Sequence, residues 1–242
     1  MAGHSKWASI KRQKGANDAK RGQIFTKLGN AIAVAAKNGK DPELNPKLAL
    51  AIDKAKAANM PNANIEKAIK RGSGELGGDQ IEELAYEGYG PEGVAIIVEA
   101  ATDNRNRTGS EVRAAFTKNG GKLADAGSVA YQFSQKGVIR VENTEDNLMM
   151  ALDAGAEDVE EEGKELVVYT DMKDLHKVRQ ALADKTKILD AELQYVPGNT
   201  VDITDKSNAQ KVIKLMDAIE DIDEVTNTYS NFDIPPEVME EL

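Results

Sequence analysis

The 242-residue chain has no cysteine, which excludes disulfides, thiolate metal sites and a cysteine nucleophile and fits a reducing compartment. Aromatic residues make up only 5% of it, so two or three modest cores are expected rather than one large one. No apolar run is long enough to cross a bilayer, and the opening MAGHSKWASIKRQK lacks the apolar stretch of a secretory leader. A soluble, cytoplasmic protein without membrane contact is expected. Only His4 and His176 supply imidazoles, and neither has a second imidazole or thiol nearby in sequence, so no metal site, cofactor or catalytic residue is read. The glycine-rich GSGELGG lacks the lysine and following helix of a phosphate loop and reads as a hinge. Glu160, Glu161 and Glu162 lack the glycine and spacing of a calcium loop and read as a solvated turn.

What is present is charge, unevenly placed. The net charge is −10, yet residues 1–74 carry 15 Lys and Arg against 5 Asp and Glu, and the remainder carries 16 against 36. One end is net +10 and the rest net −20. Screening over roughly 8 Å at physiological salt lets a basic block attract phosphates although the chain as a whole is acidic. The pattern points to a nucleic-acid partner for the basic end, and it leaves the acidic part open to a protein partner.

Residues 1–16 hold Lys6, Lys11, Arg12 and Lys14 but little apolar content beyond Trp7 and Ile10, too little to fold alone. A helix is expected from 17 or 18 to 38, with Leu28, Ile32 and Ala35 on one face. A second begins at Asn45 as N-cap with Pro46 following, and a third runs from Asn62 to Arg71 before Gly72. The 72–79 run reads as a linker. Alternation then predicts a hairpin around Gly90-Pro91, a helix starting near Thr108 and Glu111 at capping-box spacing, and a strand at 129–133. A turn at Gln135–Gly137 and a strand at 138–141 follow. Helices near 145–154, 172–183 and 206–220 alternate with strands near 166–169, 188–196 and 224–229. The class is α+β, a small helical bundle followed by two α/β units, βαβ-rich and ferredoxin-like.

Several residues are candidates for phosphate or base contact. Lys6 beside Trp7 offers a charge and a flat face for stacking, against the alternative that Trp7 anchors the segment to the bundle. Lys20 and Lys27 share one side of the first helix with Arg21 about 100° round from them, and Lys67, Lys70 and Arg71 cluster at the end of the third. That second cluster also suits a helix C-terminus by opposing its dipole. Arg105 and Arg107 flank an expected helix start, where they form either an anion site or an ion-pair network with Asp103, Glu99 or Glu111. No helix-turn-helix with base-reading side chains is recognised.

The motifs MAGHSKW (1–7), DAKRG (18–22), FTKL (25–28), NMP (59–61), KAIKRG (67–72), YEGYGPEGVA (86–95), TDNRNRT (102–108) and GSVAYQF (127–133) together resemble the YebC/PmpR family over nearly the full length. That family includes bacterial regulators and the related mitochondrial translational activator of cytochrome oxidase. The resemblance implies three domains: 1–75, a middle α/β domain of 76–133 with 204–242, and an inserted α/β domain of 134–203. It also implies a non-enzymatic role, either as a DNA-binding transcriptional regulator or as a ribosome-associated translation factor that contacts ribosomal RNA and assists difficult proline-rich stretches.

Overall fold

The computed structural model describes residues 18–77, 81–240 and 242, with side-chain detail from residue 22 onward. Two compact units emerge, one containing the described residues up to Gln132 together with Asn199–Leu242, the other Phe133–Gly198. The α+β class is as expected from the pattern of elements.

The first unit opens with helices α1 (Asp18–Ala36), α2 (Pro46–Ala57) and α3 (Asn62–Gly72). Asn45 caps α2 as its spacing predicts, its Oδ1 accepting from Leu48 N. Its amide also donates to the Ala35 and Gly39 carbonyls, tying the end of α1 to the start of α2. Leu28, Ile32, Ala35, Leu48, Ile52, Ile65 and Ala68 form the bundle core. Gly72 allows α3 to approach α1: a Cβ there would lie 2.0 Å from the Ala33 carbonyl oxygen.

The same unit contains an antiparallel sheet in the order β3-β1-β2-β9, from β1 (Glu82–Tyr89), β2 (Ala95–Thr102), β3 (Lys122–Ala124) and β9 (Val225–Ser230). Central β2 is buried on both faces. Ile96 and Val98 meet Val112 and Phe116 of α4 (Arg105–Lys118) and Val212, Leu215, Met216 and Ile219 of α7 (Lys206–Glu220). Period-2 alternation turns Ala101 to the opposite face, where it packs with Ile81 and with Ala33 and Val34 of α1. The bundle therefore rests on the sheet instead of hanging from a free linker. A two-stranded parallel pair, β8 (Val201–Asp202) with β10 (Phe232–Asp233), and α8 (Pro236–Glu240) complete the unit.

The second unit runs β4 (Phe133–Glu142), α5 (Glu145–Ala154), β5 (Asp158–Glu162), β6 (Glu165–Thr170), α6 (Leu175–Ala183), β7 (Asp190–Pro197). Its all-antiparallel sheet has the order β5-β6-β4-β7, the split βαβ arrangement of ferredoxin-like folds. Thr144 caps α5, and Gly155 ends it at φ 99°.

Three expectations change. The Gln135–Gly137 turn is absent: β4 passes straight through, and Gly137 serves close packing, since a Cβ there would sit 2.3 Å from Thr170 Oγ1. The N-cap of helix α4 is Asn104, four residues before Thr108; its Oδ1 accepts from Arg107 N, while Thr108 is buried. The acidic run 160–162 is strand β5, not a solvated turn. Alternation sends Glu162 inward, where it meets the buried guanidinium of Arg140 at 2.8 Å, while Glu165 meets the same group at 3.2 Å.

Candidate nucleic-acid interface

Lys6, Trp7, Lys11, Arg12 and Lys14 lie outside the described residues. Lys20 and Arg21 fall on the first turns of α1, but their side chains are likewise outside the description.

Helix α3 is amphipathic. Ile65 and Ala68 face α1 and α2, and a 100° step per residue puts Lys67 and Lys70 on the side away from that stripe. Both are exposed; neither ammonium makes a salt bridge or hydrogen bond with a described residue, although the Lys70 charge helps lower the Glu75 pKa. Helices α2 and α3 are separated by only Ala58–Pro61, and Asn62 and Asn64 are exposed at the start of α3. Glu66 is the one acidic residue on this helix. The helix and its cations are where the sequence places them, but Asn62 and Asn64 were not singled out, because the apolar period reports only the buried face.

Lys27 has a different role from the one its spacing suggested. Its ammonium donates to the carbonyls of Glu220 (2.6 Å), Ile222 (2.9 Å) and Val225 (2.7 Å). Gln23 Nε2 adds a bond to the Asp221 carbonyl at 2.9 Å. Side chains of α1 thus satisfy the carbonyls that α7 leaves open at its C-terminus, where a cation also opposes the helix dipole. All three ammonium donors are committed, so Lys27 belongs to the fold and is corrected out of the phosphate-facing set.

The second cluster divides as well. Arg71 bonds Asn30 Oδ1 at 3.3 Å and Asp103 Oδ2 at 3.1 Å. Arg107 reaches Asp103 Oδ1 at 3.2 Å and Glu224 at 2.6 Å. The hydrogen bond and charge of Glu224, followed by those of Asp103, raise the Arg107 pKa. For Arg107 the ion-pair reading therefore holds over the open anion site. Asp103 joins the end of α3 to the start of α4, and Glu224 extends the network to the lead-in of β9. Arg105 is exposed at the first position of α4, outside the Asp103 and Glu224 ion pairs, with its charge acting on the Tyr86 hydroxyl. Nearby, the charged residues lining a groove are Glu111, Asp221, Asp223 and Glu224 against the single cation Lys118, a balance that disfavours phosphate.

A further element was hidden by the sequence reading, which took 129–133 as a strand. Residues 125–132 instead form a loop closed by the 3-10 turn Ala130–Gln132. The carboxylate of Glu87 on β1 accepts from the backbone N–H groups of Gly127 (2.7 Å), Val129 (2.7 Å) and Ala130 (2.9 Å). Tyr89 donates to the Ser128 carbonyl at 2.8 Å, and Val129 is fully buried beneath the loop. Tyr131 is 77% exposed at its tip.

Among the described residues, no group of three or more His, Cys, Asp or Glu side chains is placed to hold a metal ion, and no helix is long and apolar enough to cross a membrane. His176 is exposed on α6.

A basic helical bundle resting on an α+β body, with a ferredoxin-like unit inserted between α4 and α7, defines a modular α+β class. Residues 5–75 match the family model for the "TACO1/YebC protein N-terminal domain", and residues 81–232 match that for the "TACO1/YebC second and third domain". The chain belongs to the TACO1/YebC family. It is 53% identical, over its full length and 99% of the relative's, to a "Probable transcriptional regulatory protein" of Halothermothrix orenii. A protein of the same name from Persephonella marina is 52% identical with complete coverage of both chains. Among solved structures, a "Conserved Hypothetical Protein" from Aquifex aeolicus superposes with a TM-score of 0.86 at 48% identity, covering 92% of this chain and 94% of that one. The relatives from Halothermothrix orenii and Persephonella marina are named as probable transcriptional regulatory proteins.

Proposed function

We propose that this chain is a non-enzymatic, nucleic-acid-binding regulator of gene expression that acts as a DNA-binding transcriptional regulator. The observation that carries the reading is the outer face of α3. There Lys67 and Lys70 are exposed with no ammonium held by a described salt bridge or hydrogen bond, after a short turn and two exposed asparagines, whereas Lys27, Arg71 and Arg107 are used internally. Lys67 and Lys70 contact phosphates, and Arg105 with the segment holding Lys6, Trp7, Lys11, Arg12, Lys14, Lys20 and Arg21 extends the footprint. Asn62 and Asn64 offer amides that pair with adenine edges.

Reversing Lys67 and Lys70 to Glu tests this. Affinity for any duplex falls, and the slope of log K against log salt becomes shallower by about two, since each phosphate contact contributes close to one unit. Unchanged affinity and slope would remove α3 from the interface.

A second reading, a ribosome-associated factor that binds ribosomal RNA in the cytoplasm and assists translation, is favoured by Tyr131. Its exposed ring suits unpaired bases, which folded RNA offers and an intact duplex does not. Co-sedimentation of the protein with ribosomes at a salt concentration that abolishes duplex binding would favour this reading.

A further inference from the structure

The loop 125–132 is unusually well held for a surface connection. Burying a carboxylate is costly unless its lone pairs are filled, and Glu87, 9% exposed, has them filled by three backbone N–H groups of this loop. Internal bonds from Ser128 N to the Asp125 carbonyl and from Gln132 N to the Val129 carbonyl leave the loop little freedom. A second chain of contacts reaches the tip. Asn231 accepts from Ala95 N in the centre of the sheet and donates to Gln132 Oε1 at 3.3 Å, and Gln132 Nε2 lies 3.5 Å from the Tyr131 hydroxyl. The backbone that carries the ring is fixed by these bonds, while most of the ring's surface faces solvent. Such pre-organisation lowers the ordering cost of a contact made by that ring.

We infer that Tyr131 is a fixed stacking platform for one unpaired nucleobase of a single-stranded or loop segment of nucleic acid. This rests on the nucleic-acid-binding reading above and specifies its substrate class. Three features favour a base over a protein. No other exposed large apolar side chain lies on this loop or on β1, β2, β3 and β9, which carry it, and a protein hot spot sits within a wider apolar patch. The segment 119–132 carries one Lys and one Asp, so it has no net charge to recruit a charged peptide or to hold phosphates, and a contact made there falls on the ring face, with phosphate binding left to the cations of α3. Finally, a single held aromatic face matches one base, and stacking accepts every base because each has a π-face.

The test compares full-length wild type, Tyr131→Ala and Tyr131→Phe by fluorescence anisotropy. The probes are a short oligo(A) RNA, an abasic oligonucleotide of equal length and a duplex DNA. Because the side chain is exposed, each variant is expected to melt like the wild type. Tyr131→Ala should weaken oligo(A) binding by about 5- to 100-fold with an unchanged salt slope, and Tyr131→Phe should stay within about twofold of wild type. The abasic strand and the duplex should not distinguish the three proteins. If wild type binds the probes with a salt dependence set by Lys67 and Lys70 but Tyr131→Ala binds oligo(A) equally well, the stacking platform is refuted and the wider reading stands. If wild type binds none of the probes, both fall. Loss of a protein partner by Tyr131→Ala with RNA affinity intact would also overturn the assignment.

Discussion

Replacing Lys27 with Met separates the fold's use of this cation from any use by a ligand. Methionine keeps most of the aliphatic stem and removes the ammonium, so the loss falls on the three bonds to Glu220, Ile222 and Val225. A hydrogen bond to a charged group contributes about 1.5–3 kcal/mol in mutational series. The three share one donor group and do not add, and partial exposure lets water reach some of the freed carbonyls. A loss of about 2–3 kcal/mol therefore follows, close to one full charge-assisted bond plus the weakened opposition to the α7 dipole. For a unit of this size, that lowers the melting temperature by roughly 4–12 °C. Thermal unfolding followed by circular dichroism measures the loss, and duplex binding is measured at a temperature where both proteins are folded. Stability should fall and affinity should hold. The reverse result, stability within about 0.5 kcal/mol of wild type together with weaker binding and a shallower salt slope, would refute the structural assignment and return Lys27 to the interface.

Gly72→Ala should be more damaging than an ordinary helix substitution, costing at least about 1–3 kcal/mol, because the new methyl meets the Ala33 backbone carbonyl and either α1 or α3 must shift; urea unfolding measures it. Arg140→Met should destabilise the ferredoxin-like unit by about 3–5 kcal/mol, since it leaves Glu162, only 8% exposed, without its cation; a second change, Glu162→Gln, should recover part of the loss in the same assay. For Glu87, burial pushes the carboxyl pKa up, but the N–H donors of Gly127, Val129 and Ala130 outweigh it and hold the group below its ordinary value. A depressed acid stabilises fully above its unfolded value, about 4.3 for Glu, and the contribution is lost as pH falls through the folded one. The amide resonances of Gly127, Val129 and Ala130 should therefore titrate together with a midpoint below that reference, and a midpoint above it would contradict the clamp.

Legibility from sequence followed the physics of each feature. The cap at Asn45 and the helices near 145–154 and 206–220 were readable because side-chain oxygens and apolar period act locally. Strand β5 was not, because three consecutive glutamates look solvated until Arg140, twenty residues away in sequence, supplies a buried partner. The continuous β4 was missed for a similar reason: Gly137 signals a turn locally, but across the sheet it makes room for Thr170 and Leu175. In the candidate interface, type and position singled out the basic residues, but sequence does not show which cations the fold consumes. Lys27 and Lys67 look equally available in a helical projection, and only the distant end of α7 separates them.

That separation changes what the net charge of the basic block means. Among its described cations, Lys27 serves α7, Lys37 donates to the Ile81 carbonyl, Lys40 pairs with Glu75, Lys47 with Glu83, and Arg71 with Asp103. Each of these holds the bundle together or holds it to the sheet. The excess of +10 therefore overstates the charge available to a polyanion, and Lys56, Lys67 and Lys70 are the exposed cations of α2 and α3 left without a described salt bridge or hydrogen bond. Under the proposed function, affinity for nucleic acid comes from this small set together with residues 6–21, where Lys6, Lys11, Arg12, Lys14, Lys20 and Arg21 are concentrated. Because the salt slope counts phosphates neutralised, its excess over the part lost on reversing Lys67 and Lys70 measures how much of the binding that N-terminal segment carries.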